Sequence, residues 1–249
     1  MEQKFKLPTE TVDLPSKGLL YPKDSPLAEG KIEMKYMTAK EEDILTNANY
    51  IRQGNVIDKL LQSLIISPVN YEELLVGDKD ALMMAARILG YGKEYQFYYL
   101  GEKVTVDLSE LPLKELDSTL ITKQGSNEFE YKLPHTDNVI TFKLLTLKDD
   151  KDIEAELEGL KKLNKFSNNE LTTRLKYMIL SVNGNYERST VRQFVDTAFL
   201  ARDSKAFREY YNKVSPGVDT KIKFETETGV EEDINIQFTS NFFWPDSGE

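Results

Sequence analysis

Hydrophobic positions along this chain alternate, then switch to a helical period, and they do so twice in the same order. Residues 31–44, KIEMKYMTAKEEDI, and residues 139–153, VITFKLLTLKDDKDI, each begin as a short strand and reach a threonine. Two residues later come a lysine and two acids: Thr38 with Lys40, Glu41 and Glu42, and Thr146 with Lys148, Asp149 and Asp150. Each threonine is placed to cap a helix, its hydroxyl accepting from the first free backbone amides. Glu41 or Asp149, three residues on, reaches back or faces the helix dipole.

The flanking order repeats as well. Leu14-Pro15 and Leu133-Pro134 precede the two segments; Asn70-Tyr71 and Asn185-Tyr186 follow them, behind the apolar endings LLQSLIIS and LKYMILS. Further on, DKDALMMAARILGYG from Asp78 aligns with DSKAFREYYNKVSPG from Asp203, and each half finishes in a hairpin pattern. This order reads as a tandem duplication of a unit of roughly 100 to 120 residues, each with its own small core.

The predicted elements follow from period and punctuation. Residues 1 to about 30 carry Pro8, Pro15, Pro22 and Pro26, and read as an extended, loop-like arm. Helical faces appear at Ile44, Ala48 and Ile51, and again at Ile57, Leu60, Leu61, Leu64 and Ile65 after the break at Gly54. Asp78 is read as the cap of a helix with Leu82, Ala85, Ala86 and Leu89 on one face, stopped by Gly90 and Gly92. A hairpin turns at Gly101, and residues 112–127 read as a linker with a helical turn near residues 113–120.

In the second half, strands FEYKLP and VITFKLL flank the turn HTDN. Helical faces follow at Ile153, Leu157 and Leu160, and at Leu171, Leu175, Met178, Ile179 and Val182 behind a Ser167/Glu170 capping box. Two more run through Val191, Phe194, Val195, Ala198 and Phe199, and through Phe207, Tyr210, Tyr211 and Val214. A hairpin at KIKFETETGVEEDINIQF closes the chain before the tail NFFWPDSGE. The predicted class is α+β, a duplicated unit of β-hairpins flanking a small helical bundle. The expected units are residues 1–111, with the proline-rich arm, and 128–249, with the aromatic tail, joined by 112–127.

Composition narrows the function classes. Of 249 residues 40% are hydrophobic, enough for one large or two small cores, and the net charge of -10 opposes binding to free nucleic acid. Cysteine is absent, which removes disulfides, thiolate nucleophiles and cysteine metal sites, and is compatible with a reducing cytoplasm. Neither a signal peptide nor a membrane span is expected, because no apolar run approaches the required length. His135, the one histidine, lies in a polar turn with no Gly-x-Ser-x-Gly elbow. The acidic runs match no calcium loop, and no glycine-rich phosphate loop opens a helix. No catalytic, metal-binding or cofactor-binding residue is therefore assigned.

The better clue is aromatic. Phe242, Phe243 and Trp244 are consecutive, so alternation along a strand cannot bury all three on one sheet face. They are the candidate partner-binding anchor, together with Leu19, Leu20 and Tyr21 of the proline-rich arm; the alternative is that the tail packs on the C-terminal unit and the arm on its own domain.

The segments LPSKGLLYP, KIEMKYMTAKEEDILTN, GNVIDKLLQSLI, DKDALMMAARILGYGKEYQF, LPHTDNVITFKLLTLKDD and FFWP, in this order, resemble the T-even-type phage baseplate hub assembly proteins over nearly the whole chain. The resemblance implies a non-enzymatic assembly factor of the host cell cytoplasm that binds baseplate hub proteins. It further implies a likeness to chaperones that coat the tape-measure protein, acting without being retained. A permanent structural subunit of the hub is the alternative. Some relatives carry paired cysteines in the hairpin that corresponds to residues 95–108; this chain has none there, so packing must hold that hairpin.

Overall fold

A computed structural model describes residues 7–121, 123–163, 169–225, 229, 231–238 and 240–243. The fold is α+β, built from small antiparallel sheets packed around helices. In the first half, β1 (Thr9–Asp13) pairs with β2 (Lys31–Lys35) and leads into α1 (Ala39–Leu45), α2 (Ala48–Arg52) and α3 (Val56–Leu64). Then come α4 (Val76–Tyr91) and the hairpin of β3 (Glu94–Tyr99) with β4 (Glu102–Asp107).

The second half repeats the sequence of elements with insertions. β6 (Phe129–Lys132), β7 (Val139–Phe142) and β8 (Ile179–Val182) form one sheet, with α5 (Leu147–Leu163) and α6 (Glu170–Met178) between its last two strands. After α7 (Arg188–Thr197) and α8 (Ala201–Val214) the chain returns through β9 (Gly217–Val218) to the hairpin of β10 (Lys221–Glu225) and β11 (Glu231–Asn235). It reaches α9 at Ser240–Phe243. Short β5 (Leu113–Lys114) pairs with β9, which ties the stretch between the halves to the end of the second.

The two halves do not keep separate cores. Their buried residues form one contiguous cluster, from Leu14 and Leu27 through Leu82 and Phe142 to Phe207 and Phe243. Several expectations are corrected with it. The proline-rich arm contains a strand, because the amides of residues 9–13 are proline-free and pair with β2. The stretch 112–127 is anchored to the first half: Leu116 is buried and its N–H donates to the Pro15 carbonyl, 3.0 Å. Its predicted helical turn shrinks to a 3₁₀ turn at Ser118–Leu120.

Ile179 and Val182 belong to a strand, not to the end of a helix. Both are β-branched, and both pair with β7, to Phe142 and Ile140. In the first half Ile65 bridges Met34 at the matching place. Asp78 is not a helix cap, since α4 starts two residues earlier and leaves Asp78 on its first turn. Of the predicted Ser167/Glu170 capping box, Ser167 lies outside the described residues.

Candidate functional site

The repeated sequence builds the same polar knot twice. The Glu41 carboxylate accepts from Lys35 Nζ at 2.8 Å, from Thr38 N at 3.0 Å and from Thr38 Oγ1 at 2.6 Å. Asp149 accepts from Lys143 Nζ at 2.7 Å, from Thr146 N at 3.0 Å and from Thr146 Oγ1 at 2.9 Å. The threonine hydroxyls thus donate to the acids; Thr146 Oγ1 also accepts from Asp149 N at 3.3 Å, as a cap should. Burial raises the Glu41 pKa, but Lys35, Thr38 and Ser63, all hydrogen-bonded to it, outweigh that and hold it at about 2. Lys35 and Lys143, each six residues before its acid, escaped the sequence reading. Their signal was the constant spacing, hidden because Lys40 and Lys148 lie nearer the threonines.

Asp78 and Asp203 form a second repeated device. Asp78 accepts from Ser16 N at 2.9 Å, Ser16 Oγ at 2.7 Å and Tyr21 OH at 2.6 Å. Asp203 accepts from His135 N at 2.9 Å and Thr136 Oγ1 at 2.8 Å. Burial pushes the Asp78 carboxyl above its usual range, and its three donors oppose that rise. His135 is exposed, and the backbone N–H is the group it gives to this contact.

These contacts account for the aromatic and apolar candidates of the arm. Tyr21 is 5% exposed, its hydroxyl donating to Asp78 and accepting from Leu75 N at 2.8 Å; burial raises its phenol above the normal range. Leu20 is buried beside it, and Leu19 is half-buried against the same core. Phe242 and Phe243 are fully buried, Phe242 against Tyr95 and Phe238, with its carbonyl accepting from Arg87 Nε at 3.0 Å. Leu20, Tyr21, Phe242 and Phe243 are therefore core in the folded chain, so of the two readings these four follow packing within the chain and not exposure as an anchor. The reason is that the tail packs across onto the first half, where α4 and β3 supply a second apolar surface that strand alternation does not count. Trp244 lies outside the described residues.

The halves meet along a short seam. Val76 N donates to the Leu145 carbonyl at 3.0 Å, and Leu147 N donates to the Leu74 carbonyl at 2.8 Å. Gly77 permits the approach: a Cβ there would lie 1.9 Å from the Pro216 carbonyl oxygen. At the matching position α8 carries Arg202, and Leu200, the counterpart of buried Leu75, is 51% exposed. The seam is made once. Beside it lies a recess of about 250 Å³ that includes Asp80, whose carboxyl is pushed up to about 6, chiefly by burial.

Among the described residues, no cluster of three or more His, Asp or Glu side chains is arranged to hold a metal ion, and no helix is long and apolar enough to cross a membrane. A groove of about 460 Å³ gathers Lys143, Lys148, Lys176 and Arg188. Two of these cations are already paired, Lys143 with Asp149 and Lys176 with Asp196, and Arg188 stacks over Tyr177. What the surface does offer is apolar and protruding. Tyr98 and Leu100, at the tip of the β3–β4 hairpin, are 71% and 70% exposed.

The family described as T4 bacteriophage base plate protein matches residues 8–244. No curated protein and no solved structure matches the chain.

Proposed function

Since the chain belongs to the T4 bacteriophage base plate protein family, we propose that it is a non-enzymatic assembly factor of the baseplate hub. In this reading it binds hub or tape-measure subunits while the tail is built in the host cytoplasm, and it leaves before the particle is complete. In length and two-unit layout it resembles the hub assembly catalyst of the T-even-type phages. Catalyst then means promoting association without being consumed.

One observation supports this reading over an enzymatic one. The polar residues that the duplication repeats, Glu41, Asp149, Asp78 and Asp203, all bind groups of their own chain. They hold strand, turn and helix together, each accepting two or more hydrogen bonds from its own chain. The test is co-expression with each hub protein and with the tape-measure protein, followed by affinity capture and size-exclusion chromatography. A complex with at least one of them is expected. Failure to bind every one would overturn the proposal.

A further inference from the structure

We infer that the tip of the first hairpin is a protein-docking knob, in which Leu100 enters an apolar pocket of another baseplate protein. The inference rests on the family assignment and on the proposed assembly role, and it adds the contact point. β3 and β4 are joined by two residues, Leu100 and Gly101, at φ of 51° and 86°. Such a turn needs two left-handed residues and is met best by Asn-Gly or Gly-Gly. A leucine there is strained, because its Cβ crowds the backbone in that conformation. The side chain gains little burial from the fold in return, being 70% exposed.

Strain retained at an exposed position points to a contact made elsewhere. The duplication supplies an internal comparison. Between Glu225 and Glu231 the sequence of the second hairpin is Thr-Glu-Thr-Gly-Val, with neither a leucine nor a tyrosine. The leucine and tyrosine of the first tip thus have no counterpart in the sequence of the second.

The chemistry of the tip defines its partner. Tyr98, 71% exposed, stands beside Leu100 and directly across the hairpin from Lys103. Lys103 is exposed and has no ion-pair partner among the described residues. An aliphatic knob flanked by a phenol and an ammonium fits an apolar pocket with an acidic rim. A lipid surface is disfavoured: one leucine and one tyrosine bury little area, and a chain of net charge -10 is repelled by anionic lipid.

Leu100→Asn separates docking from folding, since asparagine suits the turn better than leucine. Wild type and Leu100→Asn would be titrated against the purified hub proteins and the tape-measure protein, one at a time. Vesicles of phosphatidylcholine and phosphatidylglycerol would be tested in parallel by sedimentation. The expected result is binding of wild type to one of these proteins, weakened about tenfold or more in Leu100→Asn, with a melting temperature unchanged or raised. Equal binding by both proteins would overturn the docking knob while leaving the assembly role standing. Binding to none of the proteins would overturn both, and Leu100-dependent sedimentation with vesicles alone would overturn the knob in favour of a lipid contact.

Discussion

Asp78 and Asp203 occupy the same place on the first turn of α4 and α8, and each grips the turn that follows a leucine–proline pair. Asp78 holds three donors and Asp203 two, so the first clasp is the stronger. Asp78→Ala leaves the Ser16 amide, the Ser16 hydroxyl and the Tyr21 hydroxyl buried without an acceptor. The expected cost is about 3–5 kcal/mol for Asp78→Ala and about 1–3 kcal/mol for Asp203→Ala, read from urea unfolding. Equal costs would show that the clasps are equivalent despite their different donors.

Glu41 gives an acid-side prediction. Its ordinary pKa is 4.5 and its folded value about 2, so the charged form is favoured by folding. The stabilisation is present above pH 4.5 and is lost as pH falls towards 2, an amount on the order of 3 kcal/mol. Glu41→Gln should remove it, giving a smaller stability difference between pH 6 and pH 3 than wild type shows. An unchanged difference would place the acid sensitivity elsewhere.

Asp80 carries the opposite sign. Its folded pKa is raised to about 6 from 3.8, so its contribution is most favourable below pH 3.8 and declines as pH rises through 6. Asp80→Asn should therefore stabilise the protein at pH 7.5 by on the order of 1–2 kcal/mol and do nothing at pH 3.5. Thermal melts at the two pH values decide it.

The seam between the halves depends on a missing side chain. Gly77→Ala would push a methyl group into the Pro216 carbonyl and is expected to cost about 2–3 kcal/mol, because backbone meets backbone there. Gly159→Ala is its control: it lies in α5 with nothing within 4 Å of a new Cβ, and it should gain about 0.5–1 kcal/mol. Differential scanning calorimetry of the pair would show opposite shifts.

The buried tail makes a prediction that its sequence alone did not. Phe242→Ala and Phe243→Ala should each cost about 3–5 kcal/mol, read from urea unfolding, since both rings are fully enclosed.

The duplicated devices were legible because they are local or carried by order: Thr38 with Glu41, Thr146 with Asp149, and the correspondence of Asp78 with Asp203. Their partners were less so. Ser16 lies 62 residues from Asp78, and no period in the chain announces that distance. The strand at Ile179–Val182 was hidden in a helical pattern because a short apolar run satisfies both periods. The aromatic tail stayed open between core and interface for a related reason: Tyr95 and Arg87, which enclose Phe242, belong to the other half of the chain. Leu100 drew no notice, since a leucine beside a glycine gains meaning only when its φ is known.

The most direct measurement is quantitative mass spectrometry of purified mature particles alongside baseplate assembly intermediates from infected cells. An assembly factor is expected in the intermediates and absent, or far below one copy per hub, in mature particles. Stoichiometric presence in mature particles would contradict it and make the chain a permanent part of the hub.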